Sequence, residues 1–242
     1  MIYNILLLTI TTISCTNEKL HDIDWKAKAQ QMVRQQIEKR GIKNPAVLKT
    51  LEETPRHLFV PEKLKDIAYN DGPLPIGEGQ TISQPYIVAL MTELLNLQGD
   101  EKILEIGTGS GYQAAVLAQL ASEVFSIEIV KTLVDNSTTL LNKLGYTNVT
   151  TRWGDGYQGW PEEAPFDVII VTAAPEKIPQ KLIDQLKFGG RLVIPIGTRY
   201  QELTVITKQN DSTVVSDNII PVRFVPMVKP KENLENDQKV KR

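Results

Sequence analysis

Two periods alternate through the middle of the chain. Five short runs, almost continuously apolar or apolar-alternating, are separated at three of their four gaps by a longer stretch in which apolar residues recur every three or four positions. The runs predict strands at 103–106, 124–127, 149–153, 166–172 and 190–196; the stretches predict helices at 112–121, 131–144 and 178–187. Alternation of this kind builds a doubly wound, mostly parallel sheet, an α/β architecture. Phe166-Asp167-Val168-Ile169-Ile170-Val171 is nearly unbroken, as a central strand covered on both faces requires.

On either side the pattern changes. Trp25, Ala29, Met32, Val33, Gln36 and Ile37 fall on one face of a helix that Gly41 should end, and a shorter helix should begin near Pro45. This N-terminal helical region is expected to cover the sheet edge. After Gly197, apolar alternation at 203–207 and 213–215 flanks Asn210-Asp211 and predicts an antiparallel hairpin. A last apolar run, 219–228, carries Arg223-Phe224-Val225-Pro226, and no internal repeat is present. Pro85 at the first position of a helix over 86–95 follows Gly77-Glu78-Gly79-Gln80-Thr81-Ile82-Ser83-Gln84, whose composition predicts a loop.

A chain of 242 residues with 41% apolar content can bury a sizeable core. The reading is one domain over 25–228, preceded by a signal-like segment and followed at 229–242 by a tail of mixed charge, expected to be disordered. Residues 1–15 hold an apolar stretch too short to span a membrane but suited to a signal core. Ile13-Ser14-Cys15 ends it as a bacterial lipoprotein signal ends, although no Lys or Arg precedes the stretch and Thr12 suits that pattern poorly. A net charge of −2 gives no basic footprint for nucleic acid. With His21, His57 and Cys15 as the only residues of those types, no metal site of the usual soft ligands can be assembled.

The candidate chemistry lies at the strand ends. Lys102-Ile103-Leu104-Glu105-Ile106 runs into Gly107-Thr108-Gly109-Ser110-Gly111, a glycine turn that opens a helix, and the next strand ends in Glu128. Glycines let backbone approach a ligand, the helix start offers free amides, and an acid at the following strand end can accept from both ribose hydroxyls. The spacing G-x-G-x-G differs from the dinucleotide pattern, and no Lys-Ser/Thr pair follows to cradle phosphates. Glu105 would repel a pyrophosphate but suits a cation such as the amino group of S-adenosylmethionine. Asp155, in Gly154-Asp155-Gly156, could close a turn or hold an adenine amino group; in register with two other acidic strand ends, it reads as a ligand contact.

Three further segments narrow the field: Gly77-Glu78-Gly79-Gln80-Thr81-Ile82-Ser83-Gln84-Pro85, Pro55-Arg56-His57-Leu58-Phe59-Val60-Pro61, and Leu182 to Leu192. With the glycine turn, Gly154-Asp155-Gly156 and Glu163-Ala164-Pro165-Phe166-Asp167, they closely resemble the protein-L-isoaspartate O-methyltransferase family over roughly residues 25 to 228. The resemblance implies a Rossmann-like methyltransferase fold, S-adenosylmethionine as cofactor and isoaspartyl proteins and peptides as substrates. It implies repair: methylation of the abnormal carboxylate, collapse to a succinimide, and hydrolysis that returns some normal aspartate. It further implies an active-site role for Ser83, contacts from Gln80, Thr81 and Ile82, and a place for Val225 near the substrate. Cofactor contacts are expected from Glu105, Gly107, Thr108, Gly109, Gly111, Glu128, Asp155 and Gly156. By the same resemblance the helices at the N-terminus help to wall the cleft, the histidine of Pro-Arg-His-Leu-Phe is structural, and the enzyme is a cytoplasmic monomer. The alternative location is export with a lipid anchor on Cys15.

The chemistry asks little of the protein beyond placement. A carboxylate with a pKa near 4 is already ionised at neutral pH, so no general base is needed. A hydroxyl donor such as Ser83 orients it with less loss of nucleophilicity than an arginine would cause. Two alternatives stand beside this reading: a methyltransferase of small molecules or nucleic acid, which would not need 80–85, and a non-catalytic binding module on the same fold.

Overall fold

Nine strands and six α-helices are found in a computed structural model that describes residues 25–211 and 213–230. The signal-like segment at 1–24 and the tail from 231 onward lie outside the described residues. Chain order begins with α1 (25–32), a π turn Val33–Ile37, α2 (Pro45–Glu53), a short hairpin of β1 (Leu74–Gly77) and β2 (Gln80–Ile82), and α3 (Pro85–Leu95). There follow β3 (Lys102–Ile106), α4 (Tyr112–Leu117), β4 (Glu123–Glu128), α5 (Lys131–Lys143), β5 (Val149–Trp153) and β6 (Phe166–Val171). The last elements are α6 (Gln180–Asp184), β7 (Leu186–Gly197), β8 (Gln201–Lys208) and β9 (Val214–Val222).

The seven-stranded sheet runs in the order β5-β4-β3-β6-β7-β8-β9. β5 to β7 are parallel, and β8 and β9 are added antiparallel. The chain lays down β3, β4 and β5 in one direction, then returns to place β6 on the other side of β3. The crossovers therefore part at the carboxyl ends of β3 and β6 and leave a crevice, the usual ligand position of an open α/β sheet.

Alternate residues of the strands feed two cores. Ile103, Val124, Val168, Ile170, Val193 and Val205 face one layer, which holds α3, α4 and the N-terminal helices. Leu104, Ile106, Ile127, Ile169, Val171, Leu192 and Ile206 face the other, with Leu182 and Ile183 of α6 and Trp160. The N-terminal helices stack on α3, which itself packs on β6 and β7. They cover a face of the sheet rather than the edge expected from the sequence.

Other differences have local causes. The helix expected to reach 121 stops at Leu117 because the Asn148 amide donates to the carbonyls of Ala118, Ala121 and Ser122 at 2.9, 3.2 and 3.3 Å, sealing the helix end. The helix expected over 178–187 is only Gln180–Asp184, since Leu186 pairs with Phe166 and starts β7. There, strand pairing and burial of Leu186 override helix propensity. The loop expected at 77–84 contains the β1–β2 hairpin, whose turn places Glu78 and Gly79 at φ 54° and 71°, both left-handed. The last apolar run is split: its first residues finish β9, 223–225 are irregular, and Pro226 makes a single bridge to Ala174. Among the described residues, no helix is long and apolar enough to cross a membrane.

Candidate active site

The crevice floor is the glycine turn. Gly107 stands at φ 99° and a Cβ there would overlap Thr172 Oγ1, which instead donates to the Gly107 carbonyl at 2.7 Å. Both conformation and space require glycine at this position. Gly109 lines the crevice, and its amide donates to Glu128 Oε2 at 2.8 Å. The second Glu128 oxygen accepts from the Val130 amide at 2.9 Å, so this buried carboxylate is held by backbone amides of two strand-to-helix turns, the glycine turn and its own. Each oxygen keeps a lone pair for a ligand. Gly156 lines the same crevice; a Cβ there would overlap Ile106 Cγ2.

Not every residue expected to meet a cofactor reaches the crevice. Glu105 is wholly buried beneath the turn, where Oε2 accepts from Ser126 Oγ and Oε1 has no partner. Burial, more than its neighbour Glu128, pushes its carboxyl up to about 8. Thr108, also buried, shares a 2.6 Å hydrogen bond with Ser126. Gly111 is the left-handed cap of α4, and its missing Cβ admits Ser137 and Leu141 of α5. Its visible work is helix packing. Asp155 closes a turn: Oδ1 accepts from the Tyr157 amide at 2.9 Å and Oδ2 from Gln158 Nε2 at 3.0 Å.

Above the floor the crevice opens between the β1–β2 hairpin and the segment 223–228. Gln80, Thr81, Val225, Pro226 and Met227 wall the inner part, with Ile106, Ile127 and Ile129 on the apolar side. An outer cleft of about 520 Å³ continues past Thr81, Thr172 and Val225 to Ser83, Gln84, Tyr86, Arg223 and Arg40. Ser83 also lines the space beside the glycine turn, and Ile82, 3% exposed, anchors the hairpin in the core below it. Ser83 thus lies on both the outer cleft and the space beside the glycine turn, while Thr81, Thr172 and Val225 line the inner and outer parts alike. Arg40, which continues the first helix, brings the N-terminal region to the cleft as expected.

Three residues that the sequence reading did not assign to the site shape it. Thr172 follows the last residue of β6 and props the glycine turn. Gln201 clamps the backbone of Phe224, donating from Nε2 to its carbonyl at 3.2 Å and accepting from its amide at 2.6 Å. Arg56 donates to the Ser83 carbonyl at 2.7 Å. Their partners lie 65, 23 and 27 residues away, so no local pattern could reveal them. His57 Nδ1 meets the Tyr69 hydroxyl at 2.8 Å and the ring packs against Trp25.

Comparison with known proteins agrees with this layout. The family model described as protein-L-isoaspartate(D-aspartate) O-methyltransferase matches residues 27–232. A Shewanella sediminis protein-L-isoaspartate O-methyltransferase is 58% identical over 200 residues, 82% of each chain. The one from Syntrophus aciditrophicus is 55% identical over 82% of this chain and 92% of its own. A solved protein-L-isoaspartate O-methyltransferase superimposes with a TM-score of 0.77 at 31% identity, covering 89% of this chain and 70% of that one. A second, a Plasmodium falciparum structure titled as a putative member in complex with S-adenosyl-L-homocysteine, gives 0.73 at 29% identity over 83% of this chain and 98% of its own. With the family model spanning the whole described fold, the chain belongs to the protein-L-isoaspartate O-methyltransferase family.

Proposed function

We propose that the chain methylates the free carboxylate of L-isoaspartyl residues in damaged proteins and peptides, with S-adenosylmethionine as donor. The observation that supports this reading is the position of Ser83, which lines both a peptide-sized outer cleft and the space beside Gly107 and Gly109 of the glycine turn. The residues present fit the cofactor. Gly107, Gly109 and Gly156 leave the floor bare, Glu128 offers a lone pair on each oxygen for ribose hydroxyls, and Ile127 and Ile129 supply an apolar wall for a base. When bound, the cofactor supplies an activated methyl group on a sulfonium.

What the chain itself does is bind, orient and exclude water. Ser83 donates a hydrogen bond that aligns the substrate carboxylate, and among the described residues its hydroxyl has no partner in the fold to compete for it. Thr81 and Val225, shared by both compartments, set the width of the passage between them. Gln80 and the segment 225–228 roof the inner part and keep water from the reacting groups. The substrate carboxylate is already ionised and needs no base.

The test is transfer of labelled methyl to a short L-isoaspartyl peptide and to its normal-aspartyl twin. Base-labile label on the isoaspartyl peptide alone is expected; equal labelling of both, or of neither, would overturn the reading. Ser83→Ala should lower kcat by about 10- to 100-fold and leave S-adenosylhomocysteine affinity within about 2-fold. The enzyme acts as a monomer in the cytoplasm, where its cofactor is made. Acyl-chain labelling that disappears in Cys15→Ala would instead establish a lipid anchor.

A further inference from the structure

Arg56 does not line the cleft, yet it grips the residue that does. It opens the short 3-10 turn Arg56–Phe59 and is wholly buried, 0% exposed. Nε donates to the Ala68 carbonyl at 2.7 Å, and one terminal nitrogen donates to the Ser83 carbonyl at 2.7 Å. The guanidinium lies over the Tyr112 ring, 4.8 Å from its centroid, and Tyr112 is the first residue of α4, directly after the glycine turn. The second terminal nitrogen and the Tyr112 hydroxyl are buried with no hydrogen-bond partner outside the Arg56–Tyr112 pair itself. No carboxylate among the described residues forms an ion pair with Arg56.

This is an expensive arrangement. Burying a guanidinium with no counter-ion costs several kcal/mol, and an apolar side chain or a neutral amide would fill the same space at less cost. What those replacements lack is the rigid fork, which fixes two carbonyls at once while its plane rests on a third element. The link it acts on is short. Ile82 is held in the core on one side, and the Gln84 carbonyl on the other accepts the first amides of α3, from Ile87 and Val88, at 3.0 and 3.1 Å. Gln84 is further tied by its side chain, which donates to Asp71 at 2.6 Å. Between these two fixed points, the side-chain bond to the Ser83 peptide comes from Arg56.

We propose that Arg56 is a positioning residue for methyl transfer: its fork locks the Ser83 peptide against the helix that follows the glycine turn, and so sets the direction of the Ser83 hydroxyl. The inference rests on the reading that Ser83 meets the substrate carboxylate. Arg56 touches neither substrate nor cofactor; it acts through Ser83 alone.

A double-mutant cycle tests it. The four proteins are wild type, Arg56→Lys, Ser83→Ala and the double variant, with Arg56→Gln as a second substitution. Lysine keeps the buried charge and one donor but loses the fork. Thermal unfolding and calorimetry with S-adenosylhomocysteine establish that each variant is folded and binds, and Arg56→Lys carries the cycle alone if Arg56→Gln does not fold. Arg56→Lys should lower kcat on the isoaspartyl peptide by about 10-fold, with the cofactor Kd and the peptide KM within about 2-fold of wild type. In the Ser83→Ala background the same substitution should change kcat by less than about 2-fold. A full 10-fold loss in both backgrounds would overturn the inference, since a purely structural arginine acts equally with or without the hydroxyl. An Arg56→Lys enzyme with wild-type kcat would overturn it as well. If Ser83→Ala by itself leaves kcat unchanged, the fault lies with the assignment of Ser83 instead, and the cycle separates the two failures.

Discussion

The floor of the cleft is made in one pass of the chain, and its walls are not. Residues 102–128 give strand, glycine turn, helix and acidic strand end in unbroken order, and the parts lock by backbone hydrogen bonds and missing Cβ atoms. The walls come from the β1–β2 hairpin, Thr172 and the segment 220–228, which meet only in the fold. Side chains reaching across to distant backbone hold them: Arg56 to Ser83, Gln201 to Phe224, and Tyr157 to the Met227 carbonyl at 3.0 Å. The floor cannot be altered without altering the fold around it, so binding and stability should fail together there. The walls can shift while the floor stands, so turnover should fail there first.

The sharpest break is at Gly107. Gly107→Ala must hold a side chain at φ 99° and displace Thr172 Oγ1, so it should cost several kcal/mol of stability and at least about 100-fold in S-adenosylhomocysteine affinity. Thermal unfolding and calorimetry measure the two; retained affinity would show that the floor has more give than its geometry implies. Ser83→Ala is the opposite case, where kcat falls by about 10- to 100-fold while affinity holds. Parallel losses in both variants would erase the distinction between floor and wall.

A pH dependence beneath the floor tests the comparison through stability alone. Glu105 titrates near 8 in the fold and near 4.5 when unfolded, so between these values the native state holds a proton that the unfolded chain has lost. Its contribution is fully present below about 4.5 and is lost as pH rises through about 8. The slope from this one group is at most about 1.4 kcal/mol per pH unit. Denaturant unfolding from pH 5 to 8 should show that slope in the wild type and a flatter line in Glu105→Gln. Identical slopes would mean that the carboxyl is already ionised in the native state.

The same contrast explains what could be read from the chain in advance. β3, β4 and β6 differ from expectation by one or two residues, because central strands covered on both faces leave near-continuous apolar runs, and β5, an edge strand, falls where its apolar alternation placed it. The glycine turn and Glu128 were legible for a related reason, since their geometry is local. The β1–β2 hairpin was not: its strands have four and three residues, and its turn seats Glu78 in a left-handed conformation that favours glycine. Asp155 was ambiguous because capping a turn and meeting a ligand call for the same side chain. Arg56 sits in a sequence that marks it only as a charge among apolar neighbours. The carbonyl it holds belongs to a residue 27 positions later, and no periodicity encodes that.

The Gln201 clamp on Phe224 also sets an order of events during synthesis. The floor and Thr172 leave the ribosome before either partner of the clamp, and Val225 to Val228 are the last residues of the crevice wall to be made. At about 5–20 residues per second, the roof trails Thr172 by several seconds. A nascent chain therefore passes through a stage in which the residues of the cofactor floor have been made and the last residues of the substrate passage have not. The enzyme that removes damage from aged proteins is thus without its own completed cleft until its final strap has emerged and docked.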